Sequence, residues 1–577
     1  MDSTSVILRL IIVYATFRNW HLAKCEVFSE SEQSSIDETI EELMKCRQIP
    51  GLGLSITKKD QILAKGYGMA DLDENTPMTE NTLTCIGSAA KAFTSGLLAV
   101  LITEDKKKRG TLSWKTTLRE IFGEEFRLTS DPVVSSHTTL EDILSHRSGV
   151  GSADALLMAQ VYPEKYRDVL RRRLILLPKK GQLRGQFSYN NLMYGLAGMA
   201  AEAIGGKPYF ELMREKLLEP LNITTAVLVD NLDYSQPLTS KPHQMIKGSV
   251  KRSDPRFYRL GPFSPAGGLC LSPTDLTKWL YFVNTLGTTP SKKRLVSSFD
   301  FMEMTSSKVA LDFLTQLGFS LFDPYPQPSY TAWYGMGWFG RFYRGSVDFF
   351  HGGSMFSYNS VVVMDTIKQT GIAVTVNGLN PTILQLDLYP LAYYLKDLLL
   401  DKTPWLNKTT ICSYPEPWGN PFFRPPPTQN VEEKYVGETG EFVGVFGHTL
   451  YGEVLVTDNN QSIDLKWGEV MKGTLYDRTN LLSFRLRVDD DVFSVLGNEI
   501  GDIKVVFNQF YSGQYNNLEI TFQGMMEKYN FSRDVEFNFF LPSQSTSSST
   551  ARLISFTTEF CPFVLIMSIV VNLFNRL

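Results

Sequence analysis

The chain is poor in cysteine, with six in 577 residues (Cys25, Cys46, Cys85, Cys270, Cys412 and Cys561) and no C-x-x-C pair. That scatter excludes a dense disulfide framework and a zinc ribbon. Histidine is equally scarce. His21, His137, His146, His243, His351 and His448 form no H-E-x-x-H or comparable cluster, so neither a catalytic metal nor another cofactor is expected. An excess of positive charge is also missing. The formal net charge is −4, and the basic runs at 106–109 and 171–173 read as solvated helix ends, which argues against a nucleic-acid partner. There is no repeat of fixed period.

What remains is a globular composition, 43% hydrophobic, in a chain long enough for more than one domain. The two ends stand apart from it. The short apolar run SVILRLIIVYATF (5–17) has signal-peptide length, so residues 1–24 are read as a signal peptide. Arg9 inside the run and the lack of an A-x-A site leave a buried N-terminal helix as the alternative. If a leader is cut before Cys25, Cys25 and Cys46 become candidates to pair. Residues 541–577 join a Ser/Thr-rich spacer to the tail FCPFVLIMSIVVNLF, a pattern that matches a GPI-attachment signal. The tail is shorter than the roughly 20 residues of a spanning helix, and a short anchor or simple burial are the other readings. Sequons begin at Asn222, Asn407, Asn460 and Asn530, a number near chance that is compatible with secretion. The expected location is therefore extracellular, secreted or attached to the cell surface.

Between the ends, IPGLGLSITKKDQILAKGYG (49–68) alternates apolar and small residues and turns at KKD, a β-hairpin pattern. LTCIGSAAKAFTSGLLAVL (83–101) reads as an apolar helix. In TTLEDILSHRSGV (138–150), Thr138 and Glu141 have capping-box spacing and Gly149 is the stop. Helices are also expected over 190–206 and from a cap at Ser272 or Thr274, and strand-like runs follow Trp338. Strands at both ends with helices between imply an α+β domain over 30–400, its sheet closed by N- and C-terminal strands. Residues 412–430 are a Pro-rich linker. Residues 431–540 carry short strands and turns, as in a small antiparallel barrel or sandwich.

Ser88 and Lys91 stand three apart at the front of the apolar helix, where i and i+3 share a face. A serine hydroxyl needs a base. A desolvated lysine supplies one, because burial lowers its pKa. The same spacing recurs at Ser55 and Lys58, but on a strand, where i and i+3 point to opposite faces. That copy is rejected. Downstream, FSYNN holds Tyr189 and Asn191 before a helix, a hydroxyl able to relay a proton and an amide able to orient a carbonyl. HGGS ends an apolar strand with His351, Gly352, Gly353 and Ser354, whose backbone N–H can pair with that of Ser88 as an oxyanion hole. His146 is read as fixing a turn, and Cys85 as a buried small residue.

In this order the motifs TLTCIGSAAKAFTS, TLEDILSHRSGV, FSYNNLMYGLAG, SPAGGLCLSPTDLTKWL, YGMGWF and HGGSMFS resemble the serine β-lactamase and penicillin-binding protein superfamily. The likeness is to its class C-like branch of carboxypeptidases, esterases and mammalian mitochondrial relatives, and covers about 36–400. The segment 435–484 looks like the β-rich C-terminal domain many of these hydrolases carry. The resemblance implies a β-lactamase/transpeptidase-like fold in which an ester or amide substrate acylates Ser88. Lys91 and Tyr189 would share proton transfer, and Asn191, His351, Gly353 and Ser354 would bind substrate. His351 stands where penicillin-recognising members have the lysine of a K-T-G strand, and a neutral imidazole recognises a carboxylate less well. An esterase-like or peptidase-like hydrolase is therefore favoured over a β-lactamase. The expected partner is a small-molecule or peptide ester or amide, with a membrane reached through the tail and an extracellular matrix as further candidates. The rival reading is a non-catalytic extracellular protein that keeps the fold, as gigasin-type shell-matrix proteins of molluscs do in outline.

Overall fold

The computed structural model describes residues 27–539 except 109, 247–248, 313–314, 316–328, 379–387, 415, 417–434, 436–437, 461, 481, 490–501 and 524–526. The leader, Cys25, nearly all of the Pro-rich linker, Cys561 and the C-terminal tail lie outside the described residues. Among the described residues no helix is long and apolar enough to cross a membrane.

The alternating segment at the start folds as β1 (Gly51–Lys58) and β2 (Gln61–Asp71), turning at Lys59 in the left-handed region. Nine described strands form one sheet, antiparallel throughout, in the order β3-β2-β1-β12-β11-β10-β9-β8-β7. Here β3 is Thr76–Pro77, β7 Val309–Ala310, β8 Ser329–Tyr334, β9 Phe339–Tyr343, β10 Ser346–Met355, β11 Tyr358–Asp365 and β12 Thr370–Val376. β1 pairs with β12 from Leu52↔Val376 to Lys58↔Thr370, so the first strands of the domain close on the last. β4 (Thr84–Cys85), β5 (Val227–Leu228) and β6 (Leu269–Leu271) make a smaller sheet.

Strand periodicity divides β1 between two cores. Leu52, Leu54 and Ile56 pack with Ile36, Ile40 and Leu43 of α1 (Glu30–Arg47) and with later residues Leu391 and Leu395. The opposite face meets the domain interior, where Ser55 Oγ donates to the Pro273 carbonyl at 2.7 Å and Thr57 Oγ1 accepts from Asn284. Lys58 instead reaches Asp401 at 3.0 Å, so the Ser55–Lys58 copy is split between faces. The helices that matter for the site lie on the inner side of the sheet. These are α2 (Lys91–Lys108), α3 (Leu140–Leu144), α4 (Asp154–Met158), α5 (Asn191–Gly205), α6 (Ser264–Gly267) and α7 (Pro273–Asn284). α8 (Tyr389–Leu399) packs on the outer side, beside α1. α2 is buried on every side from Lys91 to Thr103, which is why its sequence is an apolar run rather than an amphipathic stripe.

Three local expectations need correction. The cap of α3 is Thr139 with Asp142, not Thr138 with Glu141, because the Thr138 hydroxyl is already spent on the Val134 carbonyl of the preceding helix. Cys46 bonds Cys412 rather than Cys25, tying α1 to the segment that follows α8. Cys85 is buried but carries no free thiol, since it faces Cys270 across β4 and β6 in a second disulfide.

The C-terminal region is a closed barrel of eight described strands, β13–β20 in sequential order. They run from β13 (Gly444–His448) through β14 (Gly452–Asn459), β15 (Ser462–Trp467), β16 (Met471–Asn480), β17 (Ser483–Val488), β18 (Ile503–Tyr511) and β19 (Gln514–Phe522) to β20 (Glu527–Ser532). Alternate residues point inward, and Phe446, Trp467, Phe484, Phe507, Phe522 and Phe531 fill the barrel.

Candidate active site

Ser88 lies in a 3-10 turn, Gly87–Ala90, that runs directly into α2. Gly87 is left-handed (φ 53°), and a Cβ there would come 2.7 Å from Ser354 N. Gly353 is closer still, since its Cβ would meet the Ile86 carbonyl at 1.9 Å. Both glycines let β10 pass the Ser88 turn at backbone contact. Ser354 and Ser88 are thereby neighbours, each only partly buried.

Lys91 has no exposed surface. Its Nζ lies 3.0 Å from Ser88 Oγ, 2.8 Å from Asn191 Oδ1 and 2.8 Å from the Ala266 carbonyl in α6. The last two groups can only accept at those atoms. A neutral amine has two N–H bonds and one lone pair, so satisfying Asn191 and Ala266 turns the lone pair toward the Ser88 hydroxyl. Burial pulls the Lys91 pKa down to about 7, against a smaller opposing pull from Asp154. The rings of Tyr189 and Tyr194 stand 4.8 and 5.3 Å from Nζ.

Tyr189 precedes α5, whose N-cap is Asn190 and whose first residue is Asn191. Burial raises the Tyr189 pKa above its ordinary value, with the Ser88 hydroxyl opposing, so the phenol stays protonated at neutral pH. His351 is 3% exposed. Its Nδ1 lies 2.6 Å from the Gly352 carbonyl and so carries the proton, leaving Nε2 to accept from the Tyr334 hydroxyl at 3.2 Å. Burial, with the nearby Lys91 charge, lowers its pKa to about 3. The ring is therefore a neutral group, 6.2 Å from the Tyr189 ring. Ser88, Lys91, Tyr189, Asn191, Gly353 and Ser354 come together at one site, with buried His351 beside the Tyr189 ring.

A family model described as Beta-lactamase matches residues 36–392. The chain belongs to the beta-lactamase family. It is 28% identical over 352 residues to an unguisins hydrolase of Aspergillus violaceofuscus, covering 59% of this chain and 60% of that protein. It is 24% identical over 222 residues to Gigasin-6 of Magallana gigas, covering 38% of this chain and 72% of that protein. The octameric penicillin-binding protein homologue of Pyrococcus abyssi superposes with a TM-score of 0.52 at 19% identity, over 87% of this chain and all of that one, which shows the shared fold.

Two residues of this beta-lactamase-family site carried no strong signal in the sequence. His146, left-handed at φ 56°, clamps the segment that holds Tyr189. Its carbonyl accepts from Ser188 N at 2.8 Å and its Nδ1 from Asn190 N at 3.1 Å, one bond on each side of Tyr189. Its ring stands 4.3 Å from that of Tyr189. Burial, then Lys91 and His351, hold the His146 pKa well below its ordinary value, so this clamp is neutral. Asp154, at the start of α4, accepts from Asn191 Nδ2 at 3.2 Å. Among the described residues no three His, Cys, Asp or Glu side chains cluster as metal ligands.

Proposed function

We propose that the protein is a serine hydrolase that cleaves ester or amide bonds through an acyl-enzyme on Ser88, esterase-like or peptidase-like rather than a β-lactamase. The observation that carries this reading is the Lys91 amine, fully buried and held with its lone pair toward Ser88 Oγ. In the first step Ser88 Oγ–H passes its proton to Lys91 Nζ while Oγ bonds the carbonyl carbon. The backbone N–H groups of Ser88 and Ser354 take the developing oxyanion. As the tetrahedral adduct collapses, Tyr189 O–H protonates the leaving alcohol or amine and recovers its proton from the Lys91 ammonium. Water then repeats the sequence in reverse and releases the acid. A neutral His351 offers no charge to a substrate carboxylate, which favours neutral esters and internal amides.

The two disulfides and the exposed sequon asparagines Asn222, Asn407, Asn460 and Asn530 support a secreted or surface-attached glycoprotein. The deciding experiment is fluorophosphonate labelling of purified wild type and Ser88→Ala, followed by a panel of p-nitrophenyl esters, D-amino-acid peptides and a β-lactam. A Ser88-dependent adduct with ester or peptide turnover is expected. No Ser88-dependent adduct with any acylating probe would overturn the enzyme reading in favour of a matrix or structural role.

A further inference from the structure

The barrel touches the hydrolase-like domain along 152–173. Glu469 N–H donates to the Ala159 carbonyl at 2.9 Å, Tyr162 O–H donates to the Leu450 carbonyl at 2.8 Å, and Tyr166 stacks on Phe539 at 3.8 Å. At the start of this seam is the turn that leads into α4. From the hydrolase-like side, Asn190 Nδ2 donates to the carbonyls of Val150 and Gly151 at 3.3 and 3.1 Å. From the barrel side, Ser152 Oγ donates to Glu527 Oε1, and the Tyr529 hydroxyl donates to Glu527 Oε2. Glu527 and Tyr529 are 8% and 2% exposed, and Tyr451 packs edge-on against Tyr529 at 4.8 Å. Both oxygens of one barrel carboxylate are thus engaged at the domain seam.

Two residues after Ser152, Asp154 controls which way the Asn191 amide points. The Asp154 oxygen accepts from Asn191 Nδ2 at 3.2 Å, which leaves Asn191 Oδ1 to accept from Lys91 at 2.8 Å. Were the amide reversed, Lys91 would meet a donor, and its lone pair would be drawn from Ser88 to Asn191. The geometry of the base therefore depends on the placement of Asp154.

We propose that Glu527, on barrel strand β20, is a positioning residue for the Ser88–Lys91 pair: it anchors Ser152, and so the turn carrying Asp154, which sets the Asn191 amide against Lys91. The barrel is then a component of the active site, not an appended module. This rests on the acyl-enzyme reading of Ser88. The test uses the full chain as wild type, Ser152→Ala, Glu527→Ala, Glu527→Gln and the Ser152→Ala/Glu527→Ala double variant. Two quantities are measured: the rate of Ser88 acylation by a fluorophosphonate, and hydrogen exchange over 151–158. Ser152→Ala removes one hydroxyl, so it keeps the test valid if Glu527→Ala fails to fold. Displacing a reacting group by about an ångström costs up to about a hundredfold in rate, so Ser152→Ala should slow acylation by about tenfold to a hundredfold and speed exchange over 151–158. Glu527→Gln, which still presents an oxygen to Ser152, should restore most of the rate. The double variant should be no slower than the slower single one. Wild-type rate and exchange in Ser152→Ala, or multiplied losses in the double variant, overturn the proposal. If wild type forms no Ser88 adduct, the hydrolase reading fails and the proposal that rests on it falls with it; a normal wild-type adduct with unchanged rate and exchange in Ser152→Ala overturns the proposal alone.

Discussion

Lys91 is placed to act as a base, and burial has a cost that can be measured separately from activity. Its pKa of about 7 lies about 3.5 units below the ordinary lysine value of 10.5. An ordinary lysine would be neutral in only about 0.03% of molecules at pH 7, whereas Lys91 is neutral in about half. Acylation of Ser88 should therefore be level above about pH 8 and fall about tenfold per unit below about pH 6. His146 and His351 are both held neutral through this range, so neither accounts for such a limb. The folded-state pKa lies below the unfolded one, so the unfolded chain binds the extra proton between the two values. The penalty is present in full below about pH 7, about 5 kcal/mol at 1.36 kcal/mol per unit, and vanishes above about pH 10.5. Lys91→Met removes that penalty but leaves Asn191 Oδ1 and the Ala266 carbonyl without their donor, at about 1–3 kcal/mol each. The absolute difference is therefore a poor readout and the slope a good one. Between about pH 8 and 9.5, where the folded lysine is neutral and the unfolded one charged, wild-type stability in urea should gain on Lys91→Met by about 1.3 kcal/mol per pH unit. Acylation of Lys91→Met should be lower by several orders of magnitude. Parallel stability curves, or near-normal acylation without the amine, would refute the reasoning.

Two further outcomes follow from the supports of the site. His146→Phe keeps a ring against Tyr189 but deprives Asn190 N–H of its acceptor, so acylation should fall about tenfold. Adding Tyr189→Phe should then cost less than it does in the wild-type background, and fully independent effects would show that His146 does not act through Tyr189. Replacing Cys85 and Cys270 together by alanine unties the strands next to the Gly87–Ser88 turn and should cost about 2–4 kcal/mol of stability. An unchanged urea midpoint would show that the bond is absent from the protein in solution.

Periodicity made much of this architecture legible in advance. β1 alternates because its two faces enter two cores, and that same alternation separates Ser55 from Lys58. The helical spacing of Ser88 and Lys91 brings Nζ to 3.0 Å of Oγ. Reading failed where a partner comes from far along the chain. Cys46 and Cys85 find partners 366 and 185 residues away, which no local spacing encodes. Thr138 and Thr139 are equivalent as letters, and only the Val134 carbonyl decides which one is free to cap.

The site divides in the same way between what is local and what is not. Helical spacing puts a lysine next to a serine, but it leaves that lysine with an ordinary pKa. The shift comes from complete burial, and burial is built from distant segments. A Cβ on Gly337 would sit 2.9 Å from the Ala92 backbone, Ala266 brings a carbonyl from α6, and Tyr189 and Tyr194 wall the amine from either end of the first turn of α5. Asp154 then works against burial by favouring the charged amine, and it holds the Asn191 amide as well. The Ser88–Lys91 contact was readable because it arises within one continuous helical turn. The lowered pKa of that amine belongs to the fold.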